Sequence, residues 1–304
     1  MRAAGTLRLV GPAGEPVDLR RTFASHGVAT LAPQRVDMER WVLETTLDVA
    51  GTVRTIAVGS GRPGELAVRA GGPELFARER AALLADVLHI LALDEDLSDF
   101  YELAERDPQL AWVAAGAGRM LRSPTVFEDV VKTVCTTNCT WSATVRMTDA
   151  LVRELGAPAA DGRRAFPSPA AMADAGAAFY RDVARAGYRG DYLLRLARDL
   201  ADGALELDTL RDPDLDDAEV EKRLLALPGV GPYAAAHVML TSLGRYGRLV
   251  FDSWTRPTYA RLMGRTASDK AIAKRFRGYG RYAGLAFWLF LTEGWVANAV
   301  ASPG

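Results

Sequence analysis

Asp252 is the residue of this chain best placed to do chemistry. It directly follows the apolar run Leu249-Val250-Phe251, where a carboxylate is unexpected unless it caps a helix or acts on a ligand. About twenty residues earlier stands Leu227-Pro228-Gly229-Val230-Gly231. The two glycines free the backbone for a sharp turn and let another backbone approach closely. They leave the first N–H groups of the next helix unpaired, at the positive end of its dipole. Such a turn is a site for a phosphate oxygen. Asp252 also reads as the N-cap of the Ser253–Arg256 segment, and the two roles are compatible.

The elements that must position these groups follow from periodicity. Leu224 to Leu227 reads as the end of one helix, and Tyr233 to Leu243 as a second. Pro124 to Leu155 reads as one or two helices ended by Gly156. Inside it a polar cluster, Thr136 to Thr140, interrupts an otherwise apolar helix, which is costly unless it faces a ligand or cavity. Asn138 lies there, either as the cap of a helix joint or as a group presented to a ligand. Arg185 to Tyr192 lies between two helical runs, and its glycines bracket Tyr188 and Arg189. Phe287, Trp288 and Phe290 share an apolar final helix, where aromatics are usually core.

Residues 6 to 70 read as strands. Arg40–Val49 and Thr52–Val58 alternate around Ala50-Gly51 as a β-hairpin, and Asp18 to Gly27 as a short helix. From Pro73 the period becomes helical, with Glu74 to Leu93 the first helix. The fold class is α+β: an N-terminal antiparallel β-sheet domain over 1–92, then an all-α domain over 93–304 that holds the hairpin, 224–243.

With 49% apolar residues the chain is globular rather than disordered. It has no run of membrane-spanning length and no signal-peptide core, so a soluble cytoplasmic protein is expected, nucleoid-associated if bacterial; a monomer is expected as well. Cys135 and Cys139 are its only cysteines. Their spacing puts them on one helix face as small core residues, and two thiols cannot hold a four-cysteine iron–sulfur cluster. Net charge is −1, yet Lys222 to Arg281 carries twelve Lys and Arg against Asp252 and Asp269 alone. That is a local footprint for a polyanion, or a set of solvated helix faces.

The hairpin with its spaced aspartate resembles the helix-hairpin-helix DNA glycosylases. The resemblance implies a base-excision repair enzyme that binds damaged double-stranded DNA, flips a nucleotide out and hydrolyses its N-glycosidic bond without a required cofactor. Asp252 would be catalytic, and the Gly229 and Gly231 amides would hold a backbone phosphate. Asn138 matches the residue that plugs the gap left by the flipped base. Tyr188 and Arg189 match a wedge and a reader of the orphaned base in 8-oxoguanine glycosylases; the second arginine of that reader falls at Ala143. The hairpin carbonyls of Leu225, Leu227 and Val230 would bind a structural monovalent cation, potassium or sodium.

The substrate is pulled two ways. The Thr292-Glu293-Gly294-Trp295 tail is similar to that of the bacterial 3-methyladenine glycosylase II enzymes. There Phe290 would line the base pocket with Tyr233, His237 and Phe287, and Phe287 replaces the glutamine with which oxoguanine enzymes read the base. Tyr233 stands where bifunctional relatives carry a Schiff-base lysine, so base excision without strand scission is expected. Alkylated purines are favoured over 8-oxoguanine. The rival is a non-catalytic DNA-binding helix-hairpin-helix protein.

Overall fold

In a computed structural model that describes residues 1–296, five strands form one antiparallel sheet in the order β1-β5-β4-β3-β2. They are β1 (Arg2–Arg8), β2 (Arg35–Asp37), β3 (Val42–Val49), β4 (Thr52–Ser60) and β5 (Glu65–Ala70). The hairpin falls where alternation places it, with Val49 opposite Thr52. The helix expected over 18–27 is shorter, α1 (Leu19–Phe23), capped by the Asp18 carboxylate. Helix α2 (Ala77–Ile90) packs Leu83, Val87 and Ile90 into the sheet's core.

The remaining helices are α3 (Ser98–Glu105), α4 (Val126–Thr136), α5 (Trp141–Leu155), α6 (Pro169–Asp174), α7 (Gly176–Ala178), α8 (Arg189–Ala201), α9 (Asp217–Leu225), α10 (Pro232–Thr241), α11 (Thr255–Met263), α12 (Asp269–Phe276) and α13 (Ala283–Thr292). They surround two apolar cores. One joins α4, α5, α8, α9 and α10; the other joins α3, α12 and α13. No helix among the described residues is long and apolar enough to cross a membrane.

A buried polar seam joins the sheet layer to the helices. Glu15 pairs with Arg119 at 2.6 Å, and Lys132 with Glu128 at 2.6 Å. Lys132 also donates to the Gln34 side-chain oxygen at 3.1 Å, and the Gln34 amide donates to the Arg122 carbonyl at 2.8 Å. The His26 Nε2 lies 2.7 Å from the Leu121 carbonyl, which makes that nitrogen the protonated one. His26 sits edge-on to His237 of α10, with ring centres 5.7 Å apart. This fixes α10, and with it the hairpin, against the sheet layer.

Candidate functional site

Helix α9 starts at Asp216, whose carboxylate accepts from the Glu219 amide at 2.7 Å, and stops at the glycine turn. Gly229 adopts φ 78°, a left-handed conformation that favours glycine. A Cβ there would also lie 2.8 Å from the Tyr192 ring, so the turn is packed directly against α8. Gly231 caps α10 with extended backbone, and Pro232 occupies the first helical position, where its missing N–H costs nothing.

Asp252 does cap the next helix. Its Oδ1 accepts from the Trp254 amide at 2.8 Å and the Thr255 amide at 2.6 Å, while Thr255 Oγ1 accepts from the Asp252 amide at 2.9 Å. These bonds hold the side chain through Oδ1, and Asp252 lines an open cleft of about 720 Å³. The Leu249–Phe251 run that precedes it is irregular chain rather than a strand. Trp254, held by the Asp252 cap, packs against Trp288 at 5.7 Å and Trp295 at 5.4 Å. The aromatic tail thus steadies the segment that carries Asp252.

The cleft brings together Gly229, Gly231, Tyr233 and Asp252 on one side with Asn138 and Tyr188 on the other. Asn138 sits in the break between α4 and α5 with φ 45°, and its Nδ2 donates to the Tyr188 hydroxyl at 3.3 Å. Tyr188 is 52% exposed. Tyr233 at the floor shares a hydrogen bond with Thr136 Oγ1 at 3.3 Å, and burial raises its phenol pKa, so it stays protonated and uncharged. Thr136, Cys139, Tyr192, Phe251 and Ser253 also line the cleft. Sequence reasoning did not single out Phe251 or Tyr192 as site residues. The signals were Phe251's adjacency to Asp252, and Tyr192's position one helical turn beyond Tyr188.

Several expected positions lie elsewhere. Arg189 is buried; its guanidinium donates to the Thr137 carbonyl and lies over the Tyr188 ring, 4.6 Å from its centre. Held this way, it buttresses Tyr188 and the Asn138 turn and does not present its donors to a base. Phe287 is 0% and Phe290 7% exposed, because α13 is apolar on every face and enclosed by α11 and α12. Phe287 backs the cleft indirectly, 5.5 Å from the Phe251 ring. His237 is buried behind Tyr233, its ring 5.8 Å away. On the Asp252 side of the cleft the aromatics that line it are therefore Tyr233 and Phe251, facing Tyr188 and Tyr192.

The cysteines do not share a helix face, since α4 ends at Thr136 and the left-handed Asn138 turns the chain. Cys135 is core, whereas Cys139 faces the cleft. The basic segment is also less basic in space than in sequence. Glu219 takes Lys222 and Arg223, Asp217 takes Arg245, and Glu221 takes Arg248. Of the hairpin carbonyls, Leu227 accepts from the Val230 amide at 3.2 Å and keeps a second lone pair. All-oxygen backbone donors of this kind suit a hard alkali cation.

No family model matches the sequence. Among curated proteins, the chain is 28% identical over 134 residues to a putative DNA-3-methyladenine glycosylase of Bacillus subtilis, YfjP, covering 42% of this chain and 46% of that one. The chain spans about half the length of the curated relatives it matches. Among solved structures, the 3-methyladenine DNA-glycosylase of Archaeoglobus fulgidus is similar with TM-score 0.76 and 19% identity, over 96% of this chain and 98% of that one. The 8-oxoguanine glycosylase/lyase of Clostridium acetobutylicum is similar with TM-score 0.69 and 20% identity, over 90% and 92%. The chain shares the fold of these two solved DNA glycosylases.

Proposed function

We propose that this chain is a DNA N-glycosylase of base excision repair. It would act as a monomer on damaged duplex DNA and release a purine by hydrolysis. The observation that carries the reading is the convergence of the hairpin amides and Asp252 on one cleft that Asn138 and Tyr188 also line. A backbone phosphate on the Gly229 and Gly231 amides sets the distance from the strand to Asp252. A flipped sugar then meets Oδ2, which stabilises the oxocarbenium-like transition state and orients or deprotonates water. Asn138 fills the vacated stack and Tyr188 wedges beside it. The Leu225, Leu227 and Val230 carbonyls would hold a structural alkali cation that stiffens the turn.

The substrate class is an alkylated purine such as 3-methyladenine or 7-methylguanine. The Tyr233 and Phe251 rings offer electron-rich faces to a cationic base, and such a base leaves readily. Discrimination of 8-oxoguanine from guanine needs a site built on paired hydrogen bonds, and Phe287 stands in place of the glutamine that would make them; Arg189, expected to read the orphaned partner base, is committed to the Thr137 carbonyl. At equal enzyme, a methylated duplex should lose base faster than an 8-oxoguanine:cytosine duplex. Faster release of 8-oxoguanine would overturn this assignment.

The reaction should stop at base release. The chain has four lysines. Lys132 is buried against Glu128, Lys222 is tied to Glu219, and neither these nor Lys270 and Lys274 line the cleft. Borohydride added during turnover should trap no protein–DNA adduct, and the product strand should stay intact until alkali is added. An efficient adduct would show that an amine reaches the sugar.

A further inference from the structure

We propose that Lys270, Lys274 and Arg277 form a second phosphate-contact surface that holds the duplex beyond the cleft. This rests on the DNA reading above and deepens it. The position follows from two contacts. Arg256 grips Asp269 at the start of α12 with two bonds of 2.8 Å, and it also donates to the Asp252 carbonyl at 3.2 Å. The N-terminus of α12 is therefore pinned beside the segment that carries Asp252.

From that point Lys270, Lys274 and Arg277 recur at i, i+4 and i+7, on one face of the helical stretch. All three are exposed. Ile272 and Phe276, on the opposite face, are buried. No carboxylate lies within salt-bridge distance of these three among the described residues. The one acid between Thr255 and Arg281 is Asp269, already spent on Arg256.

The contrast with the hairpin decides the assignment. Lys222, Arg223, Arg245 and Arg248 are neutralised by acids of α9. The hairpin thus offers amides but little free positive charge, and a polyanion needs charge. The α12 stripe supplies it, on a helix whose start is tied through Arg256 to the Asp252 segment, and it is matched in sign to a phosphate backbone. Three side chains spaced over two helical turns suit successive phosphates on one strand, read without regard to sequence.

The test uses the full chain and undamaged duplex across a salt series. The triple substitution Lys270→Gln, Lys274→Gln, Arg277→Gln should weaken binding by about tenfold or more at low salt. It should also reduce the slope of log affinity against log salt by about 1 per residue. Its thermal melt should match the parent's, since the three side chains make no ion pair among the described residues. A control replaces the exposed Arg62, Arg78 and Arg80 of the sheet side by Gln, with no expected change in slope. An unchanged slope in the α12 variant overturns the proposal. So does an equal drop in the control, which would reduce the effect to net charge. If the parent itself shows no salt-dependent duplex affinity, this proposal and the DNA reading fall together; a binding parent with an unaffected variant removes this proposal alone.

Discussion

Asp252→Asn should leave the fold intact and remove base release, lowering the single-turnover rate by about 10²–10⁴-fold. That corresponds to roughly 3–5 kcal/mol of transition-state stabilisation. The substitution separates the two jobs of this side chain. Asparagine keeps a side-chain oxygen for the Trp254 and Thr255 amides and is as good a cap as aspartate. It removes the negative charge that the proposed mechanism sets against the developing oxocarbenium ion. Asp252→Ala should lose both, with about 1 kcal/mol less stability from the missing cap. The measurement is free-base release from a methylated duplex, with thermal melts of each variant. A D252N variant as fast as the parent refutes the mechanism. If neither protein releases base while both bind duplex, the chain is a binding protein rather than an enzyme.

The second large effect is on stability against acid. All three histidines of the chain are held neutral by the fold. Burial lowers the His237 pKa from 6.5 to about 3, with neighbouring His26 adding to the shift. Burial, then the charges of Arg211 and Arg122, lower His89 from 6.5 to about 3. Burial lowers His26 too, partly offset by its bond to the Leu121 carbonyl. In each case the unfolded chain binds the proton more tightly. The stability these groups contribute is full above pH 6.5 and is lost progressively toward pH 3. Between pH 7 and pH 5, His89 and His237 should each remove about 2 kcal/mol, with His26 acting in the same direction. Asp86, raised to about 6 by burial and then by the nearby Asp48 carboxylate, works in the opposite sense. The melting temperature should therefore fall by several degrees between pH 7 and pH 5 at constant ionic strength. A flat or rising melting temperature, or imidazole resonances that titrate near pH 6.5 in the folded protein, would contradict this account.

Elements set by local pattern were legible from the chain alone. Alternation and Ala50-Gly51 placed the β3–β4 hairpin, and the glycine turn between two apolar helices placed α9 and α10. Asp252 was legible because a carboxylate after an apolar run needs a local reason, and here the cap is part of that reason. The polar break at Thr136 to Thr140 marked the gap between α4 and α5, because a buried helix cannot carry it without a cavity.

Direction was what the chain alone withheld. Arg189 follows an exposed tyrosine in a glycine-flanked turn, and nothing local shows that its guanidinium turns inward to the Thr137 carbonyl, far away in sequence. Phe287 and Phe290 have the composition of a pocket, but α11 and α12 close over them, and only packing decides which aromatic meets solvent. The basic segment counts twelve cations in sequence, yet acids of α9 and α3, from outside that segment, cancel several of them in space. Periodicity, turn chemistry and capping act between residues a few positions apart, so the sequence determined the elements, the hairpin and the aspartate that follows it. Which side chains face the cleft, and which charges remain free, depends on contacts between distant segments, and that was decided only by the tertiary structure.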